Sequence, residues 1–305
     1  MLTVRHVLCA VDLSNHSARA LAHAAALARW YEARLTALHV WANVPAFDVV
    51  PSIERYEIPS APHEEAERAA ITEHLRAISC RAAGKVPVTP LLVEAPNIER
   101  EIAAQVDALH ADLLVVGSHG RSGFQHFLLG SIAEKLVRMA SCPVMVVPAH
   151  DATATNDVRF KTIVCPVDFS DTSLAALEYA LSLAEEGDSR LALVHVLELP
   201  PELHALPSRE GVDVDALRAA AQADALTRLR GLIPEGARSY CTIETTVADG
   251  KAHRVVLAMA RESHADLIVM GVSGHGVFDR WMFGSNTASV MRGAACPVLI
   301  VRRPA

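Results

Sequence analysis

The sequence predicts an α/β protein made of two tandem copies of one domain, each an open, parallel, five-stranded sheet with helices on both faces. Three observations carry this prediction. Strand-sized apolar runs alternate with Ala- and Leu-rich helical stretches in the order β-α-β-α-β-α-β-α-β, the connectivity that parallel strands need. The pattern then starts again, at an offset of 156 residues in its early part and 154 in its late part. About half of the 305 residues are hydrophobic and few are aromatic, and a chain of this length can bury one core in each half.

Residues 6–12, His-Val-Leu-Cys-Ala-Val-Asp, read as a buried parallel strand, a continuous apolar run ending in a carboxylate. Ser14 and Asn15 can cap the next helix, which runs to about Trp30. Arg34 to Val40 is the second strand. Pro45, Pro51, Pro59 and Pro62 make the connection from Trp41 to His63 an irregular excursion, of a length that is often functional. Glu64 to Arg81 has helical spacing of Ala69, Leu75 and Ile78. A third strand at Val86–Val93, a helix at Asn97–Leu109 and a fourth strand at Asp112–Gly117 follow. A helix at Ile132–Ala140, opened by Gly130-Ser131, and a strand at Pro143–Val147 complete the domain.

The polar stretch 150–159 is the predicted linker between a first domain at 1–149 and a second at 160–305. Beyond it, Val164-Cys165-Pro166-Val167-Asp168 repeats the first strand and its carboxylate. Val194-His195-Val196 repeats Leu38-His39-Val40, and Cys296-Pro297-Val298 repeats Cys142-Pro143-Val144. The offset drops by two in the middle connection, where an excursion can shorten without touching the core.

The fourth strand runs into Gly117-x2-Gly120, nine residues follow, and Gly130-Ser131 opens a helix. Gly271-x2-Gly274-x9-Gly284-Ser285 repeats that order. Glycines at a strand end allow positive φ and close approach of a ligand. A Gly-Ser helix start offers backbone N–H groups, a positive dipole end and a hydroxyl, a set suited to phosphate. The pattern is neither a P-loop nor a dinucleotide fingerprint. A glycine turn alone is a common structural device, and each strand-end Asp can equally cap the next helix. The double occurrence of the full motif is what favours a ligand.

Both motifs resemble the ATP-binding signature of the universal stress protein family. The likeness extends to Asp12 and Asp168, to the two strands with His-Val and to the terminal Cys-Pro-Val strands. The resemblance implies a sheet order of 3-2-1-4-5 in each half, with Asp12 and Gly117 opening onto the crevice where the winding reverses. It also implies that the backbone of Val40 and of Val196 contacts adenine, and that Asp12 and Asp168 sit near the nucleoside or a metal. Gly117, Gly120, Gly130 and Ser131 would line ribose and phosphates, as would Gly271, Gly274, Gly284 and Ser285. The implied cofactor is ATP, or ADP or AMP, with Mg²⁺ carried on the phosphates. In the family the last strand forms a dimer contact, so the resemblance implies an internal pseudo-dimer of the two halves and a homodimer of chains.

The halves differ. His119, Arg121 and Ser122 flank the first motif as phosphate donors, Arg121 being the best charge partner. Ser118, His119 and Arg121 become Val272, Ser273 and His275 in the second, which lowers its cationic character and predicts weaker occupancy. Gly250 precedes the third helix of the second half, where the first has Pro96.

A formal net charge of −7 with no Lys/Arg block argues against a nucleic-acid surface. The apolar runs are well short of the ~20 residues of a membrane helix, and the first residues carry no signal-peptide pattern. Six cysteines, four of them in or beside apolar strands and none in a Cys-x-x-Cys pair, read as thiols in a reducing cytoplasm. Fifteen histidines include no His-x3-His pair with a nearby carboxylate, so no dedicated metal site is expected. His39 and His195 read as structural, and His110 and His264 as cations ending the third helices. His119, His126 and His275 are the ones best placed near a ligand. The expected function is a cytoplasmic, ATP-binding stress-response regulator with no catalytic set. The alternatives are a slow ATP hydrolase or nucleotide-transfer enzyme at the same sites, for which only His119 and Asp12 are candidate bases, and an interaction protein with vestigial pockets.

Overall fold

The computed structural model describes residues 3–42, 61–118, 130–149, 158–198, 214–272 and 284–302. They divide into two compact units, an N-terminal one of Thr3–Ala149 and a C-terminal one containing Arg159–Ala305. Of the predicted linker, only Val158 and Arg159 are among the described residues.

The N-terminal unit runs β1 (His6–Ala10), α1 (Asn15–Trp30), β2 (Arg34–Trp41), α2 (Ala61–Ala83), β3 (Val88–Glu94), α3 (Ile98–Ala108), β4 (Leu113–Gly117), α4 (Ser131–Met139) and β5 (Val144–Val147). Its strands lie in the order β3-β2-β1-β4-β5, and every pairing is parallel. Central β1 has Val7, Leu8 and Cys9 fully buried. The Val7 and Leu8 side chains each contribute about 2 kcal/mol of transfer free energy. On α1, Ala20, Leu21, Ala24, Leu27 and Ala28 form one buried stripe, and its small residues bring the helix close to the sheet.

The C-terminal unit repeats the plan: β6 (Thr162–Pro166), α5 (Asp171–Gly187), β7 (Arg190–Leu197), α6 (Val214–Gly231), a 3-10 turn (Glu235–Ser239), β8 (Thr242–Asp249), α7 (Ala252–Glu262), β9 (Leu267–Gly271), α8 (Ser285–Gly293) and β10 (Val298–Val301). Within it the order is β8-β7-β6-β9-β10, again with parallel pairing throughout. Each unit thus reverses its winding between its first and fourth strands, which opens a crevice beyond their carboxyl ends.

Pairing register refines the internal repeat. Leu35 pairs with Val88 in the first unit and Leu191 with Ile243 in the second. β3 and β8 therefore correspond at an offset of 155, and the offset falls once in the middle connection and once between β8 and α7, rather than twice in the former. At the shortened junction Gly250 takes φ +131°, a conformation open to glycine.

His110 and His264 lie just beyond α3 and α7, with φ of +50° and +49°. His110 N–H donates to Asp107 O at 3.1 Å and Ala111 N–H to Val106 O at 2.9 Å, and His264 and Ala265 repeat these bonds to Arg261 and Ala260. These are left-handed C-terminal caps that close the helix. The structure shows a backbone role for these two positions.

Candidate functional site

The N-terminal crevice holds a cavity of about 480 Å³, a size typical of small-molecule sites. Asp12, Val40, Gly117, Gly130 and Ser131 all line it, so residues from four places in the sequence converge on one space. Its walls add Trp41, Ala42, Ile98, Ile102 and Ile132, a mostly apolar enclosure that sequence reading did not assign. Pairing of β2 with β3 and the docking of α3 and α4 bring these apolar side chains together, and no local motif announces them. His119, Gly120, Arg121, Ser122 and His126 lie outside the described residues.

Asp12 uses its two oxygens differently. Oδ1 accepts from the Ser14 backbone N–H at 3.0 Å and from the Ser14 hydroxyl at 2.6 Å, while Ser14 Oγ accepts from Ser17 N–H and caps α1. Oδ2 is buried with no partner among the described residues. An ionised oxygen left so is unfavourable, and it stands in the wall of the cavity. Capping and ligand-facing roles thus coexist in one carboxylate. His39 Nδ1–H donates to Val11 O at 2.6 Å, which anchors β2 to the turn that carries Asp12.

Gly130 N–H is not free for a ligand, as its place at a helix start had implied: it donates to Ser118 O at 2.7 Å, and Gly284 N–H likewise donates to Val272 O at 3.2 Å. The open donors lie one residue further on. Neither α4 nor α8 has a side-chain N-cap, whereas Ser14, Asn97 and Ser170 cap α1, α3 and α5. The Ser131, Ile132 and Ala133 N–H groups therefore face the cavity end of α4 without a protein acceptor among the described residues, an anion-favouring arrangement.

In the C-terminal unit, Asp168 Oδ1 holds Ser170 N–H at 3.0 Å and its hydroxyl at 2.5 Å. Val196 is the last residue but one of β7, and Ser285 begins α8. Gly271 is explained by packing: a Cβ there would meet Thr172 C at 2.8 Å and Ser173 N at 2.9 Å in the first turn of α5. Its hydrogen atom therefore serves helix–strand contact. Gly274, Ser273 and His275 lie outside the described residues. Glu198, just past β7, accepts Ala252 N–H at 2.8 Å and Lys251 Nζ at 3.2 Å. It also bonds the Asn286 side chain, and these partners, the Ala252 N–H foremost, hold its carboxyl below the ordinary carboxylate range. Asp249, at the end of β8, receives Arg218 at 2.7 Å and Gln222 at 2.8 Å.

Among the described residues, no three His, Cys, Asp or Glu side chains converge as metal ligands, and no helix is long and apolar enough to cross a membrane. All six cysteines are free.

The model of the universal stress protein family matches residues 3–148 and again 159–302. A universal stress protein of Mycolicibacterium smegmatis is 27% identical over 314 residues, which take in 97% of this chain and 96% of that one. Another, of Methanocaldococcus jannaschii, is 31% identical over 147 residues, covering 48% of this chain and 84% of its own length. Among solved structures, a universal stress protein of Archaeoglobus fulgidus matches 99% of this chain and 100% of its own with a TM-score of 0.65 at 20% identity, a likeness of fold. With the family's domain matched once in each half, the chain belongs to the universal stress protein family as a tandem, two-domain member.

Proposed function

We propose that the N-terminal unit binds an adenine nucleotide, ATP or its ADP and AMP forms with Mg²⁺ on the phosphates, and that the chain works in the cytoplasm as a nucleotide-dependent stress-response regulator. The observation that carries this reading is the convergence of Asp12, Val40, Gly117, Gly130 and Ser131 on one cavity of about 480 Å³. The donor set fits such a ligand. Trp41, Ala42, Ile98 and Ile132 give apolar walls for a flat base. The orphaned Asp12 Oδ2 can accept a ribose hydroxyl, and the first turn of α4 offers three N–H groups to phosphate. The same polar groups do little for an uncharged apolar ligand, which would leave them unpaired.

The test is direct. Freshly purified protein is denatured and the released small molecules are identified by ultraviolet absorbance and mass spectrometry, and ligand-free protein is titrated with MgATP by calorimetry. Co-purified adenine nucleotide, or a saturable heat of binding, is the expected result. Protein that releases no nucleotide and takes up none removes the reading.

A further inference from the structure

The C-terminal unit differs from the N-terminal one at three positions of the cavity lining. Ala42, Ile98 and Ile132 line the N-terminal cavity. By strand and helix register, their counterparts are Glu198, Ala252 and Asn286. The N-terminal three are apolar. Their C-terminal equivalents are tied to one another: Glu198 accepts the Ala252 N–H at 2.8 Å and bonds the Asn286 side chain, whose Oδ1 accepts from His253 Nδ1 at 3.1 Å. Lys251 Nζ adds a fourth contact at 3.2 Å.

A change in capping accompanies this rearrangement. Asn97 caps α3 from its own N-cap position, accepting Arg100 N–H at 2.9 Å. Lys251, which replaces it, makes no side-chain cap; Arg254 N–H donates to Lys251 O at 2.9 Å instead, and Glu198 accepts the Ala252 N–H. The carboxylate that satisfies α7 thereby also stands against the first turn of α8, the turn that follows Gly284.

We infer that Glu198 closes the C-terminal unit to phosphorylated ligands, so that the chain takes one nucleotide and takes it in the N-terminal unit. Two effects act together. The Glu198–Ala252–Asn286 bridge ties together three positions whose N-terminal counterparts line the cavity, and a carboxylate already takes the N–H that starts α7 and stands at the first turn of α8, so a phosphate would have to displace it. This inference rests on the nucleotide reading of the N-terminal cavity for its ligand, though not for its geometry.

Reciprocal exchange tests it, with MgATP as the probe and thermal melts to confirm folding. Calorimetry of the full chain is expected to give one site for the wild type. Glu198→Ala with Asn286→Ile is expected to give two, with the original site's Kd unchanged within about twofold. Ala42→Glu with Ile132→Asn, both at exposed positions, installs the bridge in the N-terminal unit and is expected to abolish binding. Glu198→Gln keeps an acceptor for Ala252 and removes the charge, and is expected to give a second site at least tenfold weaker than the first.

Two sites in the wild type overturn the inference, as does an opened variant that still binds one nucleotide or an N-terminal exchange that still binds. A wild type that binds none overturns the nucleotide reading instead. The bridge is then supported if the opened variant gains a site and rejected if it does not.

Discussion

Asp12 grips Ser14 through a single oxygen, Oδ1, which accepts both the backbone N–H at 3.0 Å and the hydroxyl at 2.6 Å. The second oxygen is thereby kept still, buried and unpartnered at the cavity wall. Asp12→Asn keeps an acceptor for Ser14 and takes away the charge. Its expected effect is a loss of roughly tenfold to a hundredfold in nucleotide affinity, the worth of a hydrogen bond to an ionised group, with little change in melting temperature. A calorimetric titration beside a thermal melt separates the two, and a variant that melts early while binding normally would reduce Asp12 to its capping role.

Gly271→Ala places a methyl group 2.8 Å from a carbon of the α5 backbone, which has no side-chain torsion with which to yield. The expected loss is about 1–3 kcal/mol of stability, seen as a melting temperature lower by several degrees in a unit of this size. An unchanged midpoint would mean that the first turn of α5 gives way more easily than its packing suggests.

His264→Gly relieves a left-handed backbone at φ +49° and keeps the N–H that closes α7. Because the steric penalty there is about 1–2 kcal/mol for residues with a Cβ, and glycine gives back part of it in chain entropy, a net gain of about 0.5–1 kcal/mol is expected in urea unfolding. Destabilisation would show that the exposed imidazole does something beyond filling the cap.

Thiol labelling separates the cysteines. Burial raises Cys142 and Cys165 to about 12 from an ordinary 9.0, and Cys9 is pushed up further by burial and by Asp12. All three stay protonated and unreactive at about pH 8, well below those values, whereas Cys80 is exposed. Iodoacetamide is expected to modify Cys80 within minutes in native protein, and the buried thiols only after unfolding. Mass spectrometry of tryptic peptides reads this out, and early labelling of Cys9 or Cys165 would mean that β1 or β6 opens locally.

The repeated plan was legible in the sequence because it rests on period and punctuation: apolar strands ending in Asp12 and Asp168, glycine turns, and amphipathic helices opened by Gly-Ser. Those marks singled out Asp12, Val40, Gly117, Gly130 and Ser131, the five N-terminal positions of the predicted set that are described, and these line the cavity. They did not mark its apolar side. Trp41, Ala42, Ile98 and Ile132 are ordinary residues in local sequence, and only the meeting of β2, α3 and α4 gives them a common surface. Glu198 escaped notice for the same reason, since a carboxylate after a strand carries no signal until the helix ends it bridges are known. The destination of the Gly130 N–H depends on Ser118, twelve residues earlier, and no propensity encodes that pairing.

That last bond has a further meaning for how such domains diversify. Gly130 N–H meets Ser118 O at 2.7 Å, so the chain leaves β4 and enters α4 through two points stapled together. Ends already held in contact make the length between them of minor thermodynamic weight, since loop-closure entropy rises only slowly with added residues. The number of residues between Ser118 and Gly130 can therefore change at little thermodynamic cost while the strand and helix on either side of the staple are left as they were.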